Sequence, residues 1–94
     1  MALVFQGMDP DTPNGGSPTV WLDTEKREFV YQGVTADDEL NALIGEVEWV
    51  QGHEIGIPAH ESVVRIPVRM IHIIRKACDA AERAGLLDPI EEGE

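Results

Sequence analysis

The sequence predicts a small α+β domain: an antiparallel sheet of two hairpins plus one strand, with a short helix and a C-terminal amphipathic helix packed on one face. Three observations predict this class. Short β-rich runs alternate with turn residues, a helical pattern occupies the C-terminal third, and 94 residues with 43% hydrophobic content suit one modest core. The predicted order is β-β-α-β-β-β-α. We expect the domain to span residues 19–86, with a leader at 1–18 and an acidic tail at 87–94.

The beginning of the chain resembles a protease site of the kind used in expression vectors. Phe5, Gln6 and Gly7 give the Phe-Gln-Gly form, and Met8 resembles a natural start. We therefore expect residues 1–7 to be vector-derived and the stretch from Asp9 to Pro18 to be a mobile leader. The alternative is that residues 3–5 form a genuine first strand.

The strands are predicted from β-branched and aromatic runs between turn residues. Residues 19–22 and 28–31 flank a charged segment, which predicts a first hairpin. Glu46 to Val50 alternates apolar and acidic residues and predicts a half-exposed strand. Residues 53–58 and 62–66 continue the alternation on either side of a turn-like segment, which predicts a second hairpin.

Helix boundaries are predicted from capping residues. Thr35 precedes Asp38 by three residues, a variant of the capping box, and predicts a helix from about Ala36 to Ile44 that Gly45 ends. Pro67 suits the first position of a second helix, which we expect to run to Ala84 with Gly85 as its C-terminal cap.

The C-terminal helix is predicted to be amphipathic. Val68 and Ile71 fall outside its apolar half or at its edge, so a monomeric core does not claim them and we predict that they belong to a partner surface. The residues of the apolar half are Met70, Ile73, Ile74, Ala77, Cys78, Ala80, Ala81 and Ala84.

Charge is strongly acidic, with 18 Asp and Glu, 7 Lys and Arg, and a net charge of -11. One interpretation of the cations on and before the C-terminal helix is a site for an acidic partner or a phosphate backbone. The other is a solvated face with surface pairs of Asp79 to Arg75 and Arg83, which we favour because the acidic chain repels nucleic acid. The positions concerned are Arg65, Arg69, His72, Arg75 and Lys76.

Two tryptophans offer a further choice between core and interface. Trp21 and Trp49 each stand among apolar residues, which favours core packing, and the alternative is an exposed interface anchor. The predicted strand around Trp49 also carries Glu46 and Glu48 on its other face. We include these three side chains at 46, 48 and 49 in the candidate partner-binding set.

Signatures of catalysis and metal binding are weak. His53 and His60 are each followed by Glu, but neither has a second ligand four residues later. A metal site would require the fold to gather His53, His60, His72 and Cys78, and nothing in the spacing demands it. Cys78 is predicted to be a small buried hydrophobe and not a nucleophile. We therefore expect no cofactor, no metal and no enzymatic activity.

These observations favour a small acidic interaction module. No apolar run is long enough to span a bilayer, and a single cysteine fits the reducing cytoplasm. We expect a regulatory protein that binds a protein partner or itself, as a homodimer, and neither nucleic acid nor membranes. The alternative is an acidic inhibitor or nucleic-acid mimic whose residues Glu46, Glu48, Glu54 and Glu61 occupy the basic groove of a partner.

Overall fold

An antiparallel sheet and a C-terminal helix form the framework of the protein. The computed structural model describes residues 2–11 and 17–87, and it confirms the α+β class. The chain divides into two compact units, one made of Met1–Gly33 and Ile66–Glu94 and the other of Val34–Arg65. The predicted acidic tail lies outside the described residues except for Leu87, as do residues 12–16 of the predicted leader.

The sheet of the first unit has the order β1-β2-β3. Its strands are β1 (Leu3–Met8), β2 (Thr19–Asp23) and β3 (Glu28–Gln32), and both pairings are antiparallel. The predicted first hairpin is confirmed as β2 and β3. The Asp23 carboxylate accepts hydrogen bonds from two amides of the connecting loop, those of Glu25 and Lys26, each at 3.0 Å, which stabilises the turn as Asp side chains commonly do.

Strand β1 is a structural part of the sheet. It pairs with β2 from Leu3 to Met8, with one bulge between Phe5 and Gly7. The alternative prediction of a first strand thus describes the structure, whereas the vector origin of residues 1–7 stays a prediction. Asp9, the first residue of the expected mobile leader, has a buried side chain that accepts two hydrogen bonds from Arg69, and the mobility of the leader stays a prediction.

The C-terminal helix begins with one 3₁₀ turn. Val68–Met70 forms this turn after Pro67, and α2 follows at Ile71–Arg83. The predicted C-terminal cap is confirmed, because Gly85 has a φ of +70° and its amide bonds to Glu82 O at 3.1 Å. The next amide, of Leu86, bonds to Ala81 O at 3.1 Å, which completes a Schellman motif.

The core of the first unit lies between α2 and one face of the sheet. Val20, Met70 and Ala77 are fully buried, and the side chains of Ile66, Ile73 and Ile74 pack against them. The prediction of a buried Cys78 is wrong, because this side chain is exposed. Cys78 lies toward β3, and α2 packs on β1 and β2, so the helix leaves the third strand only partly covered.

The second unit is built around one short helix. Strands β4 (Val34–Thr35) and β5 (Val64–Arg65) pair with each other, and α1 spans Asp38–Gly45 between them. The predicted helix is confirmed, but Thr35 is not its N-cap. Asp37 takes that position, and its carboxylate accepts a hydrogen bond from Leu40 N at 2.9 Å.

The predictions of a strand at 46–50 and of a second hairpin at 53–58 and 62–66 are wrong. Residues 46–50 and 53–58 form turns and bends, and only Val64–Arg65 of the segment 62–66 is a strand. Two glycines explain part of this difference, because Gly52 and Gly56 have φ values of +90° and +112°, which extended strands do not use. Alternation therefore predicted strands where the chain instead turns back beside α1.

Candidate protein-interaction surfaces

The cationic side chains predicted as a binding site are divided by the structure. Arg69 faces the end of β1, where its Nε and Nη2 donate to Asp9 Oδ1 and Oδ2 at 2.8 and 2.6 Å. Its Nε is also 3.8 Å from Asp11 Oδ2. The hydrogen bond to Asp9 raises the pKa of the Arg69 guanidinium, against a smaller effect of desolvation. Arg69 therefore anchors the chain after β1 and is not a free ligand site.

Of the four other residues in the predicted set, Arg65 is the exposed second residue of β5, and His72, Arg75 and Lys76 lie on α2. Lys76 Nζ donates to the main-chain oxygen of Gln6, the bulge residue of β1, at 3.3 Å. His72 and Arg75 are exposed. The predicted surface pairs of Arg75 and Arg83 with Asp79 are not formed within 4.0 Å in the part of the chain that the structure describes. The structure therefore does not gather these cations into one site.

The two apolar residues predicted to face a partner are exposed. Val68 lies in the 3₁₀ turn and is 84% exposed, and Ile71 begins α2 and is 42% exposed. Val68 is the most exposed of the large apolar side chains in the described residues. Neither side chain packs in the core of the first unit. Their exposure agrees with the predicted contact surface, and the partner stays a prediction.

Trp49 is exposed, so the favoured prediction of core packing is wrong for this residue. The residue is 66% exposed, and its Nε1 donates to Ile44 O at 2.9 Å, in the last turn of α1. Glu48 stabilises the following turn, because its carboxylate accepts a hydrogen bond from Gly52 N at 2.8 Å. Glu46 is the exposed C-cap of α1. The three predicted residues thus lie around the end of one helix.

The structure adds an apolar sheet surface that the sequence analysis missed. Trp21 of the central strand pairs with Phe5 of β1 and with Val30 of β3. Leu3 and Met8 pair with Asp23 and Thr19, which lie on the same side of β2 as Trp21. Gly7, on the opposite side, faces Ile73 of α2. We call the five residues Leu3, Phe5, Met8, Trp21 and Val30 the open sheet face. Trp21 is half-buried there, while Leu3, Phe5 and Met8 are 45%, 58% and 48% exposed.

This surface was missed because residues 1–7 were assigned to a vector. The signal was present, since Leu3, Val4 and Phe5 have the composition of a strand. Only the pairing of β1 with β2 shows that Leu3 and Phe5 share a face with Trp21. The tryptophan alone gave no indication of which side of the sheet it occupied.

A small cleft separates the C-terminal half of α2 from β3. It has a volume of about 260 Å³ and is lined by Phe29, Cys78 and Leu86, among others. Burial raises the pKa of the neighbouring Tyr31 phenol above its ordinary value of 10.0, and the Cys78 thiolate charge raises it further. The described residues contain no group of three or more His, Cys, Asp or Glu side chains able to hold a metal ion.

Comparisons with models of protein families, with curated proteins and with solved structures give no match for this chain. In the described part of the chain, no helix combines the length and the apolar composition that crossing a membrane requires. Function is therefore argued from the surfaces themselves.

Proposed function

We propose that this protein is a non-enzymatic, regulatory protein-interaction module of the cytoplasm that associates with itself as a homodimer. The observation that carries the proposal is strand β1, an uncharged edge strand whose side chains from Leu3 to Met8 include no Lys, Asp, Glu or Pro. Natural edge strands are usually protected by charge, proline, bulges or cover, because their free main-chain groups otherwise pair with another strand. Strand β1 has one bulge, at Gln6, where Lys76 Nζ donates to the main-chain oxygen, but it has no charged residue and no proline. Such an edge favours association. The proposal requires residues 3–8 to be a native strand, as in the alternative interpretation of residues 1–7, because a protein that began at Met8 would lack β1.

The apolar area beside this edge supports a stable contact. Leu3, Phe5 and Met8 are each about half exposed, and large side chains carry roughly 200 Å² each, so the three expose about 300 Å². Pairing β1 with β1 of a second copy would place these side chains beside their equivalents and cover the edge backbone. These three side chains supply less than half of the roughly 800 Å² that each partner contributes to a standard interface, so the paired main chain and neighbouring side chains must supply the rest.

Charge also favours a second copy at β1 over other faces. Each chain carries a net charge of -11, so two copies repel each other across most of their surfaces. An uncharged strand allows two chains to meet with little like-charge contact. An antiparallel pairing of β1 with β1 about a two-fold axis gives both chains the same main-chain hydrogen bonds.

The test is the solution mass of the full chain by light scattering, at low and high salt. We expect twice the 10.4 kDa chain mass, stable to salt. Phe5→Lys places a charge on β1 and should give a monomer, whereas the matched variant Val68→Lys should remain dimeric, since Val68 lies outside the sheet. A monomeric parent protein would overturn the proposal. Dissociation by Val68→Lys alone would transfer the interface to the surface of Val68 and Ile71.

A second candidate function is an acidic inhibitor or nucleic-acid mimic. The observation that favours it is the composition of the second unit, where seven acidic residues stand against one basic residue, Arg65. These acids would occupy a basic groove of another protein, with the protein partner bound mainly by charge. Binding to a basic protein that does not weaken as salt rises would contradict this candidate. The acids concerned are Asp37, Asp38, Glu39, Glu46, Glu48, Glu54 and Glu61.

A further inference from the structure

A groove runs beside α1 within the second unit. Its volume is about 670 Å³, within the range of natural ligand sites. Asn41, Ala42 and Gly45 of α1 form one wall, and the segment 56–63 forms the other. The groove belongs to this unit alone and takes no part in the proposed β1 contact.

The walls of this groove are shaped for a chain in extended conformation. Ala42 is small, so an incoming backbone can approach α1 closely beside it, whereas Gly45 lies close to the Gly56 backbone of the opposite wall. Ile57, Pro58 and Val63 on the opposite wall provide apolar contacts. Small and apolar walls of this kind accept main chain and short aliphatic side chains, and they give no stacking surface for a base.

The negatively charged side chains in the groove favour a positively charged ligand. Glu46 and Glu61 both line it, and Glu46 is the C-cap residue of α1. A carboxylate at this position is unfavourable, because the C-terminal end of a helix carries partial negative charge. The last turn of α1 has no basic residue, and Glu46 has no ion-pair partner among the described residues. A positive charge supplied by a partner would relieve this repulsion.

Trp49 lies at the same end of α1, outside the residues that line the groove. Its Nε1 bond to Ile44 O, one residue before the groove residue Gly45, restrains the indole, while the residue stays 66% exposed. Tryptophan is enriched among the residues that dominate binding energy, and its ring face attracts Lys and Arg side chains. A restrained and exposed indole loses little conformational entropy when a partner binds.

We propose that this groove binds an extended segment of another protein, in which lysine or arginine alternates with small apolar residues. The basic side chains would face Glu46, Glu61 and the Trp49 ring, and the apolar ones would contact the walls. Complementarity of charge argues for this occupant over a second copy, since the second unit carries a formal charge of -6 from seven acids and Arg65. The inference goes beyond the proposed self-association and uses a different surface.

The test is the fluorescence anisotropy of two labelled ten-residue peptides, one alternating Lys with Val and one alternating Glu with Val. We expect saturable binding of the basic peptide to the full chain and no binding of the acidic one. Glu46→Gln should weaken binding about tenfold. The matched variant Glu54→Gln removes the same charge from an exposed residue outside the groove and should change the affinity much less.

A steric variant separates the groove from general attraction to an acidic surface. Ala42→Leu keeps the charge and the helix propensity but narrows the groove, so it should abolish binding of the basic peptide. Three outcomes would each overturn the inference. The first is an equal loss of affinity in Glu46→Gln and Glu54→Gln, the second is unchanged binding of the basic peptide to Ala42→Leu, and the third is no binding of that peptide to the parent protein. Circular dichroism of each variant checks that α1 is intact. Because Phe5→Lys leaves the groove unchanged, this inference and the proposed dimer succeed or fail separately.

Discussion

Gly7 shows how one residue sets the distance between two elements. It lies in β1 where the strand faces α2, and a Cβ built at this position would be 2.7 Å from Ile73 Cγ2 and 3.0 Å from Ile73 Cγ1. Both atoms belong to the branched base of the side chain, which has little freedom to move in a helix. A glycine is therefore required for the helix to pack on the strand at this separation.

The first prediction concerns this contact. Gly7→Ala should destabilise the protein by about 1–3 kcal/mol, because the added methyl forces Ile73 or the helix to shift. The measurement is the free energy of unfolding in urea. Gly45→Ala is the control, since the nearest atom to its added Cβ is 3.9 Å away, and it should be neutral or slightly stabilising. Equal effects of the two substitutions would show that the contact at Gly7 is not restrictive.

The second prediction concerns the pH dependence of Tyr31, the only tyrosine of the chain. Burial, followed by the charge of Cys78, raises the pKa of its phenol, so the tyrosinate absorbance of the folded protein should appear above pH 10.0. The unfolded chain releases this proton first, so the contribution to stability is complete below pH 10.0 and is lost as pH rises through the folded pKa.

Cys78→Ser tests the second cause separately, because the chain has no other cysteine. We expect the pKa of the Tyr31 phenol to fall toward its ordinary value in this variant, while the increase in pKa that burial causes remains. An unchanged midpoint in Cys78→Ser would mean that the thiolate does not act on Tyr31.

At the scale of elements, the C-terminal ends of the helices were predicted better than the strands. Gly85 ends α2 as expected because the cap needs a residue with positive φ, and the local sequence identifies such a residue. The alternating segments 46–50 and 53–58 satisfy the pattern of a strand but have no neighbouring strand in the described structure. A strand requires a partner for its main-chain groups, and alternation does not supply one.

The third prediction tests the cap of α2. Gly85→Ala should cost about 1 kcal/mol, because an alanine at a φ of +70° suffers a steric penalty although the space around it is open. Gly85→Asn should cost less, since asparagine tolerates this conformation. Thermal unfolding followed by circular dichroism measures both. A loss in Gly85→Asn as large as in Gly85→Ala would contradict the explanation based on φ.

At the scale of the whole molecule, the two units differ in how much they bury. The first contains the cluster of Val20, Met70 and Ala77, whereas Ala36 is the only buried apolar residue among the described residues of the second. Helix α1 has no buried residue at all. Hydrophobic burial is the main stabilising contribution in folding. The second unit therefore has little hydrophobic stabilisation of its own.

The fourth prediction follows from this contrast. In native-state hydrogen exchange, amides of α1 should open with a much lower free energy than amides of β2 and the middle of α2, which should exchange only through global unfolding. The Leu40 and Ala77 amides provide a direct comparison. Equal protection of both would show that the second unit unfolds together with the first. Saturation with the basic peptide should raise the protection of α1 if the groove is occupied.

The sequence by itself determined the α+β class, the first hairpin, both helices and the glycine that ends α2. These features depend on the conformational preferences of residues that are close together in the sequence. It also identified Val68, Ile71 and Trp49 as candidates for a surface, although core packing was preferred for Trp49. Their exposure agrees with a surface role, and their partner stays a prediction.

Only the tertiary structure decided the rest. The pairing of β1 with β2 created the open sheet face, the ion pair with Asp9 removed Arg69 from the free cations, and the turns after α1 formed the groove. Asp9 and Arg69 are 60 residues apart in the sequence. Contacts of this kind depend on the simultaneous packing of distant segments, and neither local propensity nor periodicity contains that information.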